Sequence, residues 1–148
     1  VDEFHLYSEQ VENWKQVIEK GILKLIGLKV SCKIENNLAT ATFRINLVDS
    51  RQILSSFSLT QLPGCCGVMV SFHSYVSVDH RGKGIGSFLH GVKVGVAKES
   101  GYSSILCTDV EGNLPQEAIL NKNGWEKIAT FNNARTLNDV AIHFKDLR

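Results

Sequence analysis

The sequence predicts a mixed α/β fold in which helices flank a single sheet. Two stretches of alternating apolar and polar residues on either side of an Asn-Asn pair read as an antiparallel hairpin. The remainder reads strand–helix–strand–helix–strand–strand, an order that builds a mixed sheet. The length of 148 residues fits one domain with one ordinary core, so residues 1–148 are taken as a single unit.

The first element is a helix over Glu9 to Ile26. Val11, Trp14, Val17, Ile18, Leu25 and Ile26 recur at three- and four-residue spacing, with Ser8 as the expected N-cap. Gly21 weakens that helix and is a place where it would end or break. Leu28 to Glu35 then alternates, with Leu28, Val30, Cys32 and Ile34 on one side. Asn36-Asn37 is the expected turn, because Asn tolerates positive φ. Leu38 to Leu47 alternates through Ala39, Ala41, Phe43, Ile45 and Leu47. Asp49 to Gln61 fits loop, short helix or strand equally well. Pro63-Gly64 is a turn. Val68 to Val78 is a strand with Val68, Val70 and Phe72 on one face. A helix over Gly84 to Glu99 follows, with Phe88, Leu89, Val92 and Val96 inward and Gly101 closing it. Ser103 to Thr108 is a short strand and Asn113 to Lys122 a helix. Trp125 to Phe131 and Val140 to Phe144 are the final strands, joined by an Asn-rich turn.

Composition narrows the function. The chain is 43% hydrophobic and 21% charged, close to a soluble average. No apolar run reaches the ~18 residues that span a membrane. Val1 to Leu6 lack the basic-then-apolar order of a secretory leader, and the missing initiator Met suggests that some residues were removed. A net charge of +1 argues against broad binding to nucleic acid. The four cysteines form no scaffold pattern, and two are adjacent, so reduced thiols in a cytoplasmic setting are expected. Cys65, Cys66 and His73 are the only grouping considered for zinc, and no C-x-x-C pair supports it, so no metal is expected.

The informative segment is Arg81-Gly82-Lys83-Gly84-Ile85-Gly86, between an expected strand and an expected helix. Glycines there permit positive φ and close approach of a ligand to the main chain. A helix start presents free N–H groups and the positive end of its dipole. Together they form a cradle for phosphate, or for diphosphate, with Arg81 and Lys83 adding charge beside it. A Walker loop is excluded, because no Gly-Lys followed by Ser or Thr occurs at the required spacing. A dinucleotide fingerprint needs G-x-G-x-x-G, whereas this string is G-x-G-x-G; only Asp109 would serve as its acidic partner. A glycine-rich turn with no ligand is the remaining alternative.

This string resembles the pyrophosphate-binding motif of the GNAT acetyltransferases, Q/R-x-x-G-x-G/A, with Arg81, Gly84 and Gly86 in its places and Ser87, Phe88 and Leu89 continuing it. The likeness extends to the following strand, to Asn113 opening the next helix, and to Asn123-Gly124-Trp125 leading into a strand. It is good from about Gly67 onward and weak before. The glycine-rich C-terminal half also resembles small acetyltransferase-like proteins found in phage genomes. The resemblance implies the acyl-CoA N-acyltransferase fold: a mixed, mostly antiparallel sheet flanked by helices, with a splayed central strand pair. It implies acetyl-CoA as donor and an amine-bearing acceptor as second partner; the lack of a long apolar run argues against a membrane partner, and a homodimer is left open.

It implies residue roles as well. The N–H groups of Gly82, Lys83, Gly84, Ile85 and Gly86 would hold the diphosphate. Arg81 would reach a phosphate or fix the loop, and Ser87 would offer its hydroxyl. Ser74 and Val76 would lie on the strand edge that pairs with the pantetheine arm, where an N–H would stabilise an oxyanion. Asn113 would touch the pantetheine or orient its helix. The attacking amine must lose a proton, and His73, His80, Asp109 and Glu111 are the bases considered, with His73 and Asp109 preferred. His73 is expected to face away from the main apolar side. The family's usual acid, a Tyr four residues before the Gly-aromatic pair, falls on Leu120, which cannot donate a proton. Tyr75 and Tyr102 are the nearby tyrosines in sequence. Cys107 and Cys65-Cys66 lack an identifiable partner for covalent transfer. A non-catalytic acyl-CoA-binding or partner-binding module, and use of another acyl donor, are the competing readings.

Overall fold

The computed structural model of the chain describes residues 4–148. The expectation about a leader rests partly on residues 1–3, which lie outside the described residues. Helix α1 spans Ser8–Ile26 and is followed by strands β1 (Val30–Asn37), β2 (Thr40–Leu47), β3 (Ile53–Gln61) and β4 (Val68–Val76). Helix α2 (Ile85–Glu99) leads to β5 (Ser104–Val110), and α3 (Leu114–Lys122) leads to β6 (Glu126–Asn133) and β7 (Asn138–Asp146). The strands form one sheet in the order β1-β2-β3-β4-β5-β7-β6. Among the described residues only β4 and β5 pair in parallel; every other neighbouring pair is antiparallel. A parallel pair needs a crossover, and α2 provides it.

Helix α1 is continuous through Gly21 because the glycine admits a neighbour. A Cβ there would collide with the Phe88 ring of α2, and a Cβ at Gly95 of α2 would meet Trp14 of α1 at 2.6 Å. The two helices therefore exchange an aromatic for a glycine in both directions. Glu99 ties the contact by accepting from Trp14 Nε1 at 3.0 Å and Gln10 Nε2 at 2.8 Å. Tyr7, not Ser8, takes the N-cap position. Beneath the helices lies the core, with Phe43 of β2 stacked on Phe57 of β3 at 4.5 Å between ring centroids. Full burial of such a side chain contributes about 1.5–3 kcal/mol.

The hairpin turn falls two residues later than expected, at Leu38-Ala39, with Leu38 at φ 56. Asn36 is committed elsewhere: its Oδ1 accepts from Leu6 N at 3.2 Å and its Nδ2 donates to Leu6 O at 2.8 Å. The open segment Asp49 to Gln61 contains β3, between β2 and β4. On β4 the fully buried residues are Met69 and Ser71, while Val68, Val70 and Phe72 are half-buried.

The pairing of β4 with β5 runs only from Val68↔Ser104 to Ser71↔Cys107, although β4 continues to Val76 and β5 to Val110. The cause is a bulge. Across β3 the register passes from Ser58↔Phe72 to Ser56↔Tyr75, so β4 carries one extra residue. His73 sits in that bulge at φ 52, a conformation costly for a non-glycine residue. A bulge bends and twists its strand. The strands consequently part beyond Ser71 and open a cleft between them.

Candidate functional site

The loop from β4 to α2 begins with a 3-10 turn, Val78–His80. Gly82 and Gly84 follow at φ 77 and φ 88, in the left-handed region that suits glycine. Gly84 is the N-cap of α2, and its carbonyl accepts from Phe88 N at 3.0 Å. Among the described residues, the backbone N–H groups of residues 82–87 donate to no protein acceptor. They form an unbroken run of donors at the positive end of a 15-residue helix. Arg81 secures the loop: its Nε donates to Val76 O at 3.0 Å.

This run opens onto a cleft of about 630 Å³ bounded by β3, β4, β5, α2 and α3. His73, Ser74, Val76, Arg81, Gly82, Gly84, Ile85, Gly86, Asp109 and Asn113 all line it. Lys83 and Ser87 are not among its lining residues. The Ser87 hydroxyl accepts from Asn123 Nδ2 at 3.2 Å, joining α2 to the end of α3. Asn113 caps α3, its Oδ1 accepting from Gln116 N at 3.4 Å.

His73 lies exposed at the cleft and makes an edge contact with Phe72 at 4.8 Å. It shares the parity of buried Met69 and Ser71, and the bulge brings it to the surface. Asp109 is no solvated loop charge. Its Oδ1 bonds to His143 Nε2 of β7 at 3.0 Å, and both side chains are almost fully buried. Burial pushes the Asp109 carboxyl up more strongly than His143 draws it down. Its buried Oδ2 has no hydrogen-bond partner among the described residues. Glu111 is instead paired with Lys127 at 2.8 Å.

Leu120 is fully buried. Tyr75 lines the cleft, half-exposed. Tyr102 does not; its hydroxyl donates to Gln61 Oε1 at 2.9 Å. Cys32 and Cys107 are buried thiols pushed up to about 12, and Cys65 and Cys66 are exposed. Among the described residues no three His, Cys, Asp or Glu side chains group as metal ligands, and no helix is long and apolar enough to cross a membrane.

Three side chains at or beneath the cleft escape a reading by sequence pattern. Lys93 and His90 project from the inner face of α2, and His143 lies on the buried side of β7. His90 packs edge-on against Trp125 at 5.5 Å, and its Nε2 lies 3.2 Å from Gln116 Nε2. Burial, with Lys93 and His143 nearby, holds His90 down to about 3, so its ring is neutral. Burial likewise lowers Lys93 to about 8. The available signal was helical spacing: Lys93 follows Leu89 by four residues and precedes Val96 by three.

The architecture is that of solved GNAT acetyltransferases. No family model matches the sequence, and none of the curated proteins matches it. Solved structures do match. An acetyltransferase of the GNAT family from Streptococcus pneumoniae superposes with a TM-score of 0.61 at 17% identity, over 72% of this chain and 66% of that one. An IAA acetyltransferase from Bacillus cereus gives a TM-score of 0.63 at 14% identity, over 95% and 92% of the two chains. A Salmonella typhimurium protein solved with its cofactor acetyl-CoA gives 0.61 at 15% identity, over 74% and 65%. At these identities the likeness establishes a shared fold.

Proposed function

We propose that this chain is an N-acetyltransferase that moves an acetyl group from acetyl-CoA to a primary amine by direct attack. The observation that carries the reading is the run of unpartnered N–H groups over residues 82–87 at the entrance to the parted strands. Such donors, at a helix start, suit a diphosphate. A fold neighbour solved with acetyl-CoA supports the same ligand.

In this reading the amides of Gly82 to Gly86 hold the diphosphate. Arg81, already bonded to Val76 O, keeps the loop shaped for it. The free edge of β4 near Ser74 and Val76 receives the pantetheine arm, and an N–H there stabilises negative charge on the thioester oxygen. Asn113 sets the start of α3 beside that arm. Acetyl-CoA supplies an activated acyl group on a good leaving group. Asp109, steadied by His143 and lining the cleft, draws off the proton of the incoming ammonium. His73, exposed on the bulge, is the second base.

The buried Leu120 favours one competing reading, a module that binds acyl-CoA without turning it over. The experiment is thiol release from acetyl-CoA against a panel of primary amines, with calorimetric binding in parallel. Release with at least one amine supports the transferase. Binding with no release on any amine supports the module. Absence of binding at millimolar acetyl-CoA removes both.

A further inference from the structure

Lys93 is a buried cation for which, among the described residues, no anion forms an ion pair. It lies on the inner face of α2, 3% exposed, and lines the cleft. Its Nζ donates to Ser74 Oγ at 2.9 Å and sits 5.0 Å from the centroid of the Phe57 ring of β3. Among the described residues it takes part in no salt bridge. The titratable groups coupled to it are His90 on its own helix and Cys107 on β5; Asp109 and His143 lie one step further, beside Cys107 and His90. None neutralises it. Asp109 is bonded to His143, Cys107 stays protonated, and His90 is neutral.

An unpaired buried ammonium destabilises a fold, and an apolar side chain of the same length would fill the space better. What Lys93 offers is a transferable proton at the inner end of a cleft whose entrance is an anion cradle. Ser74 Oγ, exposed on the free edge of β4, connects Nζ to the cleft surface.

We propose that Lys93, with Ser74 Oγ as the bridge, delivers the proton taken up by the departing thiol of the thioester substrate. The inference rests on the N-acetyltransferase reading. As the amine nitrogen bonds to the carbonyl carbon, the carbon–sulfur bond breaks and its electron pair goes to sulfur. Ser74 gives its hydroxyl proton to the sulfur and takes one from Lys93. Asp109 having taken the first proton of the ammonium, the neutral Lys93 recovers the second, which the nitrogen sheds once it is bonded to carbon. One proton moves in total from nitrogen to sulfur, and Lys93 ends as it began. Its affinity for the proton, about 8, lies close to the ~8.5 of an ordinary thiol, and such matching favours proton transfer.

The test uses K93M and S74A with two readouts. The first is thiol release from acetyl-CoA with hydroxylamine, a nucleophile uncharged at neutral pH, corrected for the uncatalysed reaction. The wild-type rate falls as pH rises through about 8, where Lys93 loses its proton. K93M runs ~10²-fold slower and lacks that fall; S74A shows the same defect in weaker form. The second is calorimetric binding of CoA and of desulfo-CoA. Wild type prefers CoA, and K93M binds both alike. A K93M rate within about threefold of wild type with the same pH profile overturns the inference, as does an undiminished preference for CoA. Failure of the wild type to bind CoA overturns the transferase reading itself. It is told apart because in the former cases wild type and K93M both bind.

Discussion

In the folded chain the Lys93 amine titrates near 8, against an ordinary 10.5. That gap is also a statement about stability. Because the folded value is depressed, the unfolded chain carries the extra proton between the two. The contribution to stability is present above 10.5 and lost as pH falls through 8. At neutral pH the folded chain therefore bears a penalty of about 3 kcal/mol at this one side chain. Lys93→Met keeps the length and removes the charge. It also removes the bond to Ser74 Oγ, worth about 1 kcal/mol, whose acceptor is exposed and regains water. K93M is thus predicted to be more stable than wild type by about 2 kcal/mol at pH 7 and to lose that advantage by about pH 10.5. Urea unfolding followed by tryptophan fluorescence, with Trp125 buried and Trp14 half-buried as reporters, measures it at both pH values. A variant less stable than wild type at pH 7, or a gap equal at both, would refute the reasoning.

Other residues carry independent predictions. Gly21→Ala gains about 1 kcal/mol in helix propensity but drives a methyl group into the Phe88 ring, so a net loss of about 1–2 kcal/mol is expected, read as a lower Tm; an unchanged or raised Tm contradicts the glycine–aromatic packing. His90, held near 3 in the folded chain, makes stability decline as pH falls below its ordinary 6.5. His90→Gln therefore moves the acid-unfolding midpoint to lower pH, and a midpoint at the wild-type value argues against burial of a neutral ring. Asp109→Asn is expected to slow thiol release to an amine by ~10²-fold while CoA affinity changes little; equal rates exclude Asp109 from the proton pathway.

The C-terminal half was readable because its backbone demands glycine at particular positions. Gly82 and Gly84 stand where φ is positive, and that requirement is visible as residue type. The β4–α2–β5 order follows from run lengths and from the Gly101 closure. Strand β3 was not readable, since its buried positions include Ser55 and Ser58, which break any apolar alternation. The hairpin turn was read early because Asn36 serves the N-terminal segment, not the turn. His73 does lie exposed, as expected, but through a bulge set by pairing with β3 and not through parity with Phe72. Lys93, His90 and His143 were hidden for one common reason. Each is a polar residue on a face whose spacing marks it as core, and its value to the site arises only when α2, β5 and β7 are assembled.

The central claim is the amide cradle at the start of α2, and Gly84 tests it most directly. A Cβ at Gly84 has room, with Leu25 at 3.6 Å, but φ 88 is closed to a β-branched residue. Gly84→Val therefore disturbs the loop amides while leaving the core in place. Calorimetric titration of CoA into both proteins, with thermal unfolding recorded in the same buffer, is the measurement. The account predicts saturable binding to wild type and an affinity at least ~10-fold weaker in G84V. Equal CoA affinity in two equally folded proteins would contradict it.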